Sequence, residues 1–308
     1  MKFSHRPVLY KEILSLLDCK PGDIIVDGTL GGGGHAYGIL EKITPGGILI
    51  GIDRDPEALG YSTKRLSKFG DSFISIQGNF SNIDSILEGL NISSIDGMVL
   101  DIGISSPQVD NPNRGFSYMH NAPLDMRMNP DQEFSAYDVV NTYSRSELSR
   151  ILWEYGEERW SSRIAKFIVD NRPIETTGEL VEVIKAAIPA GARRKGPHPA
   201  KRTFQAIRIE VNRELESLKI GLEKGIEVLK SGGRLCVISF HSLEDTIVKR
   251  TFKNYENPCI CPNDAPICIC GRKPKIKIIT RKPLTAKGEE LKINPRARSA
   301  KLRVCQKL

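Results

Sequence analysis

Short apolar runs alternate with amphipathic stretches from residue 23 to residue 103. The apolar runs are dense in Ile, Val and Leu and end on polar residues, which predicts buried strands at 23–30, 46–55, 72–80 and 95–103. Helical spacing follows the first three runs, at 34–43, 56–69 and 81–90. Pro56 is expected at a helix start, and Ser81 is a candidate N-cap. Strands joined by helices of this length predict a parallel sheet that is covered on both faces.

The alternation stops after the fourth strand and resumes about a hundred residues later. Residues 103–130 are rich in Asn, Pro, Ser and Gly, and they predict a long loop with a function of its own. Only helical patterns follow, at 144–156, 157–171 and 177–188. We therefore expect an insertion over 104–203, made of this loop and a helical substrate-recognition domain.

The sheet pattern then continues to the end of the chain. It predicts a long helix at 204–230, a fifth strand at 232–240, a helix at 242–254 and two last strands at 275–280 and 299–305. Seven strands with this finish predict one mixed sheet with an antiparallel edge. The expected fold class is α/β, a doubly wound, Rossmann-like sheet formed by 1–103 and 204–308 around a helical insertion.

Charge is distributed unevenly along the chain. The net charge is +8, but residues 1–190 hold 18 Lys and Arg against 26 Asp and Glu, whereas residues 191–308 hold 27 against 11. This asymmetry favours a polyanionic partner for the second part, most simply a nucleic acid. The alternative is a solvated basic face without a partner.

Two signals concern the compartment. No run approaches the roughly 18 apolar residues of a membrane span, and the first ten residues lack the apolar stretch of a secretory signal. We therefore expect a cytoplasmic protein that does not interact with a membrane.

Four of the seven cysteines form two C-x-C pairs, Cys259 with Cys261 and Cys268 with Cys270. Four thiolates could bind zinc, but C-x-C is less common than C-x2-C among zinc ligands, and reduced thiols in a loop are the alternative. No metal is expected to take part in catalysis.

Four consecutive glycines, at 31–34, lie between the first strand and the first helix after it. Gly31, Gly33 and Ala36 match the dinucleotide pattern G-x-G-x-x-G/A. Asp53 ends the second strand, where a carboxylate can accept hydrogen bonds from ribose hydroxyls; a helix cap or a surface acid is the alternative. The combination suits NAD or S-adenosylmethionine. A P-loop is excluded, since His35 stands where Lys-Ser/Thr would follow the glycines.

The fourth strand runs into the sequence DIGISSPQVD, at 101–110, where Ser105, Ser106, Pro107 and Gln108 predict a rigid polar turn. The stretch is similar to the S/D/N-P-P-aromatic turn of enzymes that methylate exocyclic amino groups of bases. The lone pair of cytosine N4 is conjugated into the ring, so hydrogen-bond acceptors for the amino hydrogens help by favouring a more tetrahedral nitrogen. A plain type I turn is the alternative.

Ten stretches spread over the whole chain resemble the RsmH family, also called MraW. They are 5–12, 27–35, 51–58, 100–110, 114–118, 123–128, 155–159, 198–216, 238–250 and 294–303. The resemblance implies a class I methyltransferase that transfers a methyl group from S-adenosylmethionine to N4 of a cytidine in 16S ribosomal RNA. The implied partner is this RNA or the 30S particle, and the oligomeric state stays open. The segment with the cysteines, 259–270, departs from the common family pattern.

The resemblance also implies roles for single residues. On the cofactor side, Gly33, Gly34 and His35 would surround the methionine end, Asp53 would hold the ribose, Phe80 would border the adenine, and Asp101 and Gln108 would complete the pocket. Ser106 and Pro107 are the expected catalytic residues.

Substrate contacts are expected from Arg114, Phe116, Lys201, Arg202 and His241. Phe116, like Tyr118, could stack on a flipped base or pack against the insertion. Arg208 could meet a phosphate or form a structural salt bridge with Glu210 or a neighbour. His241 is expected to contact RNA or to shape its loop, and a catalytic base is the alternative.

Two alternative functions use the same features of the sequence. One is a DNA amino-methyltransferase, and the other is a ribosome-assembly factor that binds RNA without catalysis.

Overall fold

The computed structural model describes residues 7–193, 198–262 and 269–308. The chain forms two compact units, one from Met1–Gly103 with Leu215–Leu308 and one from Ile104–Glu214. We call them the sheet unit and the helical unit. The sequence predicts an insertion over 104–203. The helical unit ends at Glu214, 11 residues after the predicted end of the insertion.

The strands of the described residues belong to one sheet in the sheet unit. They are β1 (Ile24–Asp27), β2 (Ile48–Asp53), β3 (Phe73–Gln77), β4 (Ile95–Asp101), β5 (Leu229–Ser239), β6 (Ile276–Ile278) and β7 (Lys301–Lys307). Their order is β3-β2-β1-β4-β5-β7-β6, in which the first five are parallel and β7 runs antiparallel to both neighbours. The predicted seven-stranded mixed sheet with an antiparallel edge is confirmed.

The α-helices of the described residues follow one another along the chain. They are α1 (Tyr10–Leu16), α2 (Gly34–Ile43), α3 (Pro56–Leu66), α4 (Ile83–Gly89), α5 (Ser106–Asp110), α6 (Ala136–Thr142), α7 (Arg145–Glu154), α8 (Ser161–Asp170), α9 (Thr177–Ala187), α10 (Ala190–Arg193), α11 (Lys201–Asn212), α12 (Glu214–Val228), α13 (Ser242–Glu256) and α14 (Glu289–Ile293). None of the helices in the described parts of the chain is long and apolar enough to cross a membrane.

Helices cover both faces of the sheet because successive strand residues point to opposite sides. Ile25 and Leu49 pack in one buried cluster with apolar residues of α1, α2 and α3. Their chain neighbours, Val26 and Ile50, pack in a second cluster with α4, α12 and α13. The sheet is therefore doubly wound, as its apolar runs predict.

The helical unit has a core of its own. Its buried cluster takes apolar residues from α6, α7, α8, α9 and α11, among them Val139, Ile151, Ile164, Ile184 and Ile207. The three helices predicted for this stretch correspond to α7, α8 and α9. The sequence pattern does not predict α6, which lies between the expected loop and the first predicted helix of the insertion.

The prediction of a single long helix at 204–230 is wrong. Helix α11 ends at Asn212, Arg213 adopts a left-handed conformation with φ 47°, and α12 starts at the next residue. The Asn212 side-chain amide donates to the Met126 carbonyl and accepts from the Met128 N–H. These two hydrogen bonds hold the end of α11 at the point where the helix is interrupted. The N-cap predicted at Ser81 is also wrong, since Ser81 lies inside a short 3-10 turn, Phe80–Asn82, that Asn79 caps, and α4 begins after Asn82.

One ion-pair group joins α13 to the antiparallel strand β7. The Asp245 carboxylate accepts hydrogen bonds from Arg303 Nε at 2.6 Å and from Lys301 Nζ at 3.2 Å. Burial alone would raise the pKa of Asp245, but these hydrogen bonds outweigh it and lower the pKa. The stabilisation is therefore present above the ordinary carboxyl pKa, and it is lost as the pH falls.

Removing this acid leaves the buried Arg303 guanidinium without its partner. We expect Asp245→Ala to lower the free energy of unfolding by about 3 kcal/mol, the lower end of the range for breaking a buried pair. Asp84→Ala is the matched control, because Asp84 pairs with Lys224 on the surface and should cost less than about 1 kcal/mol.

Urea unfolding followed by far-UV circular dichroism measures the difference. Tryptophan fluorescence would not report on the sheet unit, since both tryptophans of the chain, Trp153 and Trp160, lie in the helical unit. Equal losses of stability in the two variants would contradict the structural role of Asp245.

Candidate active site

Three acids lie at one edge of the sheet, each as the last residue of its strand. Asp27 ends β1, Asp53 ends β2 and Asp101 ends β4. Because β1 lies between β2 and β4 in a parallel sheet, the carboxyl ends of all three strands meet at the same edge. Ligands of open α/β sheets bind at this edge, so the acids mark the candidate site.

The glycine loop that follows β1 is tied to both of its neighbours. The Gly31 N–H donates to Asp53 Oδ2 at 2.7 Å, and Arg65 Nη1 of α3 donates to the Gly32 carbonyl at 2.7 Å. Gly31 and Gly33 have φ of +48° and +67°, a region that favours glycine. The loop is therefore a fixed turn that leads directly into α2.

Gly34 lacks a side chain for a different reason, which is packing. A Cβ atom at Gly34 would lie 2.4 Å from Cγ of Pro7, far inside contact distance. The glycine run thus serves backbone conformation at two positions and a close contact within the fold at a third. The closer approach of a ligand to Gly33 and Gly34 stays a prediction.

His35 is the first side chain after the glycines, and it is 6% exposed. Its Nε2 lies 3.6 Å from Asp101 Oδ2, and the ring stacks on Tyr10. Both ring nitrogens of His35 and Oδ1 of Asp101 are buried without a hydrogen-bond partner among the described residues. Buried polar atoms are normally satisfied, so these three atoms indicate a place for a polar ligand.

Burial raises the pKa of two of the three acids to about 6. Asp27 and Asp53 both lose hydration of the charged form, and backbone N–H donors offset this only in part. Asp53 accepts from Gly31 and, at 2.9 Å, from the N–H of Asp55. The site therefore holds carboxylates that a positively charged ligand would stabilise.

Sequence reasoning missed Asp27 and Arg65. An acid as the last residue of a strand, directly before the glycines, is a signal that could have indicated Asp27. No local pattern indicates Arg65, because its contact with Gly32 spans 33 residues.

Phe80 follows β3 in the sheet unit and is half-buried. Its ring lies against α12, where a Cβ atom at Gly221 would come within 2.4 Å of Phe80 Cδ2. Phe80 is thus held in place by a close contact, and its role beside an adenine stays a prediction.

The stretch Ser105–Asp110 in the helical unit is the start of a helix. Ser105 caps α5, the Gln108 Oε1 accepts from the Ser105 N–H at 3.0 Å, and Gln108 is 4% exposed. The Pro107 carbonyl accepts from the Asn111 N–H at 2.9 Å. The Ser106 side chain lies outside what the structure describes. In place of the predicted turn the chain forms a short helix, whose start is held by a capping box and carries Pro107 in its first turn.

Two residues expected to contact the substrate have structural partners in the helical unit. Arg114 donates to the carbonyls of Arg127 and Met128, both at 3.0 Å. Phe116 is buried in the core of the unit, which favours packing over base stacking.

Two other aromatic and basic side chains also have partners within this unit. Tyr118 stacks on His198 with ring centroids 4.6 Å apart. Arg208 forms a bidentate pair with Glu214, which agrees with the alternative of a structural salt bridge.

Lys201 and Arg202 are both exposed at the start of α11. Arg202 Nη1 donates to the Glu157 carbonyl at 3.1 Å. This hydrogen bond orients the side chain, and the residue remains exposed. Of the residues expected to contact a substrate, this pair is the most accessible to a phosphate backbone.

His241 caps α13 in the sheet unit. Its Nε2 lies 2.9 Å from Oε1 of the fully buried Glu244, whose other oxygen accepts from the N–H groups of Phe240 and His241. Of the roles considered from the sequence, the structure supports the shaping of the loop.

The donor set of the sheet unit fits S-adenosylmethionine. Carboxylates suit its sulfonium and ammonium charges and its ribose hydroxyls, and the His35 ring nitrogens offer a further polar contact. A dinucleotide fits less well, because its pyrophosphate would face three acids at one edge.

Comparison with known proteins gives matches over the full length. The family model described as "MraW methylase family" matches residues 2–308. A protein of Clostridium botulinum named "Ribosomal RNA small subunit methyltransferase H" is 55% identical over 100% of both chains. A protein of Heliobacterium mobile with the same name is 54% identical, again over 100% of both chains. Among solved structures, an rRNA methylase of Streptococcus thermophilus is 12% identical with a TM-score of 0.42, covering 97% of this chain and 93% of that chain.

The raised pKa of Asp53 predicts a pH dependence of stability without any ligand. Between about pH 4 and pH 6 the folded chain binds more protons at this carboxyl than the unfolded chain, so the free energy of unfolding rises as the pH falls. Asp53→Asn removes this titration. The stability of the unmodified chain relative to the variant should therefore increase from pH 7 to pH 4, by at most about 3 kcal/mol.

Denaturant unfolding of both chains at several pH values measures this difference. Asp84→Asn is the control, because the pKa of the exposed Asp84 is lowered, chiefly by its hydrogen bond with Lys224, and its relative stability should change in the opposite direction. If the difference in free energy of unfolding between the unmodified chain and Asp53→Asn stays constant over this pH range, then the pKa of Asp53 is not raised.

Proposed function

The chain belongs to the MraW methylase family, and from this we propose that it transfers a methyl group from S-adenosylmethionine to N4 of a cytidine in 16S ribosomal RNA. The observation that carries the proposal is the match to this family over residues 2–308, together with identity of 55% to a relative named as a small-subunit ribosomal RNA methyltransferase. No feature of the site favours DNA as the substrate.

S-adenosylmethionine, when bound, supplies an electrophilic methyl carbon on a sulfonium. Gly33, Gly34 and His35 would hold its methionine end, and Asp53 its ribose. His35 and Asp101 support this placement, because their buried polar atoms lack partners among the described residues. Phe80 would border the adenine from its fixed position against Gly221.

The charge of the site supports a cationic cofactor. Asp27, Asp53 and Asp101 end neighbouring strands, and a positive ligand beside them favours their charged forms. The free energy that burial of Asp27 and Asp53 costs the fold is thereby partly recovered on binding. A neutral or anionic ligand would not give this effect.

On the substrate side we assign Ser106 and Pro107 to the amino group of the base. Backbone or side-chain acceptors there would bind the N4 hydrogens and favour a more tetrahedral nitrogen. Gln108 would act through its capping contact with Ser105, which fixes the start of α5. No base is needed before attack on the methyl group, since the proton can leave N4 afterwards.

Transfer of tritiated methyl groups tests the function. The substrates are 16S RNA, free or in small-subunit particles, from cells that lack the modification, with duplex DNA as a comparison. We expect label in RNA only, recovered as N4-methylcytidine after nucleoside analysis. Label at another nucleoside, or in DNA alone, would contradict the proposal.

The cofactor assignment is tested with Asp53→Ala and the surface control Asp84→Ala. Loss of hydrogen bonds to a buried carboxylate costs about 1–3 kcal/mol, so the dissociation constant for S-adenosylmethionine should rise roughly 5- to 150-fold. The control should bind as the unmodified chain does. Calorimetry on variants with native circular dichroism measures both, and unchanged affinity in a folded Asp53→Ala chain would exclude the assignment.

The RNA contact is tested with the double variant Lys201→Ala, Arg202→Ala. Each lost phosphate contact should reduce the slope of log affinity against log salt by about 0.7–0.9. The matched control is Lys166→Ala, Lys185→Ala, which removes the same charge from two side chains that pair with acids on their own helices. Filter binding to small-subunit particles over a salt series measures the slopes. Equal slopes for the two variants would mean that the first pair does not contact RNA.

A further inference from the structure

Three cysteines converge in the connection between α13 and β6. The Sγ atoms of Cys259, Cys261 and Cys270 all lie within 4.8 Å of one another. The Sγ atoms of Cys259 and Cys270 are 3.9 Å apart, although eleven residues separate them along the chain. The thiol groups of the two described parts of the connection thus lie next to each other.

The sulfur spacing fits a shared metal ion. A disulfide needs about 2.05 Å between its sulfurs, so Cys259 and Cys270 are not bonded to each other. Two thiolates at about 2.3 Å from one tetrahedral zinc ion lie about 3.8 Å apart. The observed 3.9 Å between Cys259 and Cys270 agrees with that geometry, and Cys261 lies within 4.8 Å of both.

Apolar packing does not hold the two described parts of this connection in place. None of the described residues at 257–262 and 269–275 is buried. Its two isoleucines, Ile260 and Ile269, are 65% and 89% exposed. Segments too small to form a core are commonly held by a disulfide or a metal ion, and the thiol cluster provides ligands for the second.

We propose that the thiolates of Cys259, Cys261 and Cys270 bind one structural Zn²⁺ ion. Binding displaces the three thiol protons to solvent, and no electron is transferred. The fourth tetrahedral position is completed by a further donor. Cys268, the remaining cysteine of the two C-x-C pairs, lies outside the described residues, so the site rests on three. The ion fixes the connection after α13 and takes no part in methyl transfer.

Zinc content and cobalt substitution test the site on the full-length chain. We expect one Zn²⁺ per chain by elemental analysis after purification without chelator. After chelation, added Co²⁺ should give the thiolate charge-transfer absorption and the intense visible bands of a tetrahedral site. Single variants Cys259→Ser, Cys261→Ser and Cys270→Ser should each weaken Zn²⁺ binding by more than the roughly 10- to 100-fold that loss of a supporting residue costs.

Cys19→Ser is the matched control, because Cys19 is a half-buried thiol elsewhere in the sheet unit. It should retain one Zn²⁺ and the cobalt spectrum. Binding of S-adenosylmethionine, measured on every variant, should be unchanged and shows that the chain is folded. A wild-type chain without metal, one that holds iron or copper instead, or a triple variant that keeps its zinc would each overturn the proposal.

Discussion

The hydrogen bond from the Gly31 N–H to Asp53 joins the ends of β1 and β2, and the arrangement of the candidate site depends on it. It fixes the glycine loop in a left-handed conformation that only glycine adopts at low cost. The loop then begins α2 at a position that brings His35 to within 3.6 Å of Asp101, at the end of β4. One backbone donor thus organises groups that belong to three strands and one helix.

The place of Asp53 in the fold has an electrostatic consequence. Loss of hydration raises the pKa of Asp53 to about 6, and the hydrogen bonds from its backbone N–H donors, which lower the pKa, offset this only in part. Asp27 is in the same state at the neighbouring strand end. Buried acids of this kind reduce the stability of the ligand-free chain near neutral pH, because their charged forms are poorly hydrated. A cationic ligand beside them would lower the free-energy cost of that charge. The reduction of this cost on binding would therefore contribute to the affinity for the proposed cofactor.

Most of the sheet could be predicted from the sequence, because strand and helix periodicity are local properties. The break at Arg213 could not, since the apolar spacing continues from α11 into α12 and the cause lies in contacts between Asn212 and residues more than 80 positions away. The glycines and Asp53 could be identified from their spacing. Phe116 could not be assigned, because an aromatic residue in a polar loop suits a core and a stacking surface equally well, and only its burial separates them.

If the acids at the strand ends bind a cationic methyl donor, then binding changes their protonation, and proton linkage measures that change. Calorimetric titration with S-adenosylmethionine at pH 5.5, in buffers that differ in ionisation enthalpy, gives the number of protons exchanged on binding. The positive charge of the cofactor at this end of the sheet and the ribose hydroxyls that would donate to Asp53 both favour the charged forms of Asp27 and Asp53. We therefore expect a net release on the order of one proton per chain. Binding with no proton exchange, or with proton uptake, would contradict it.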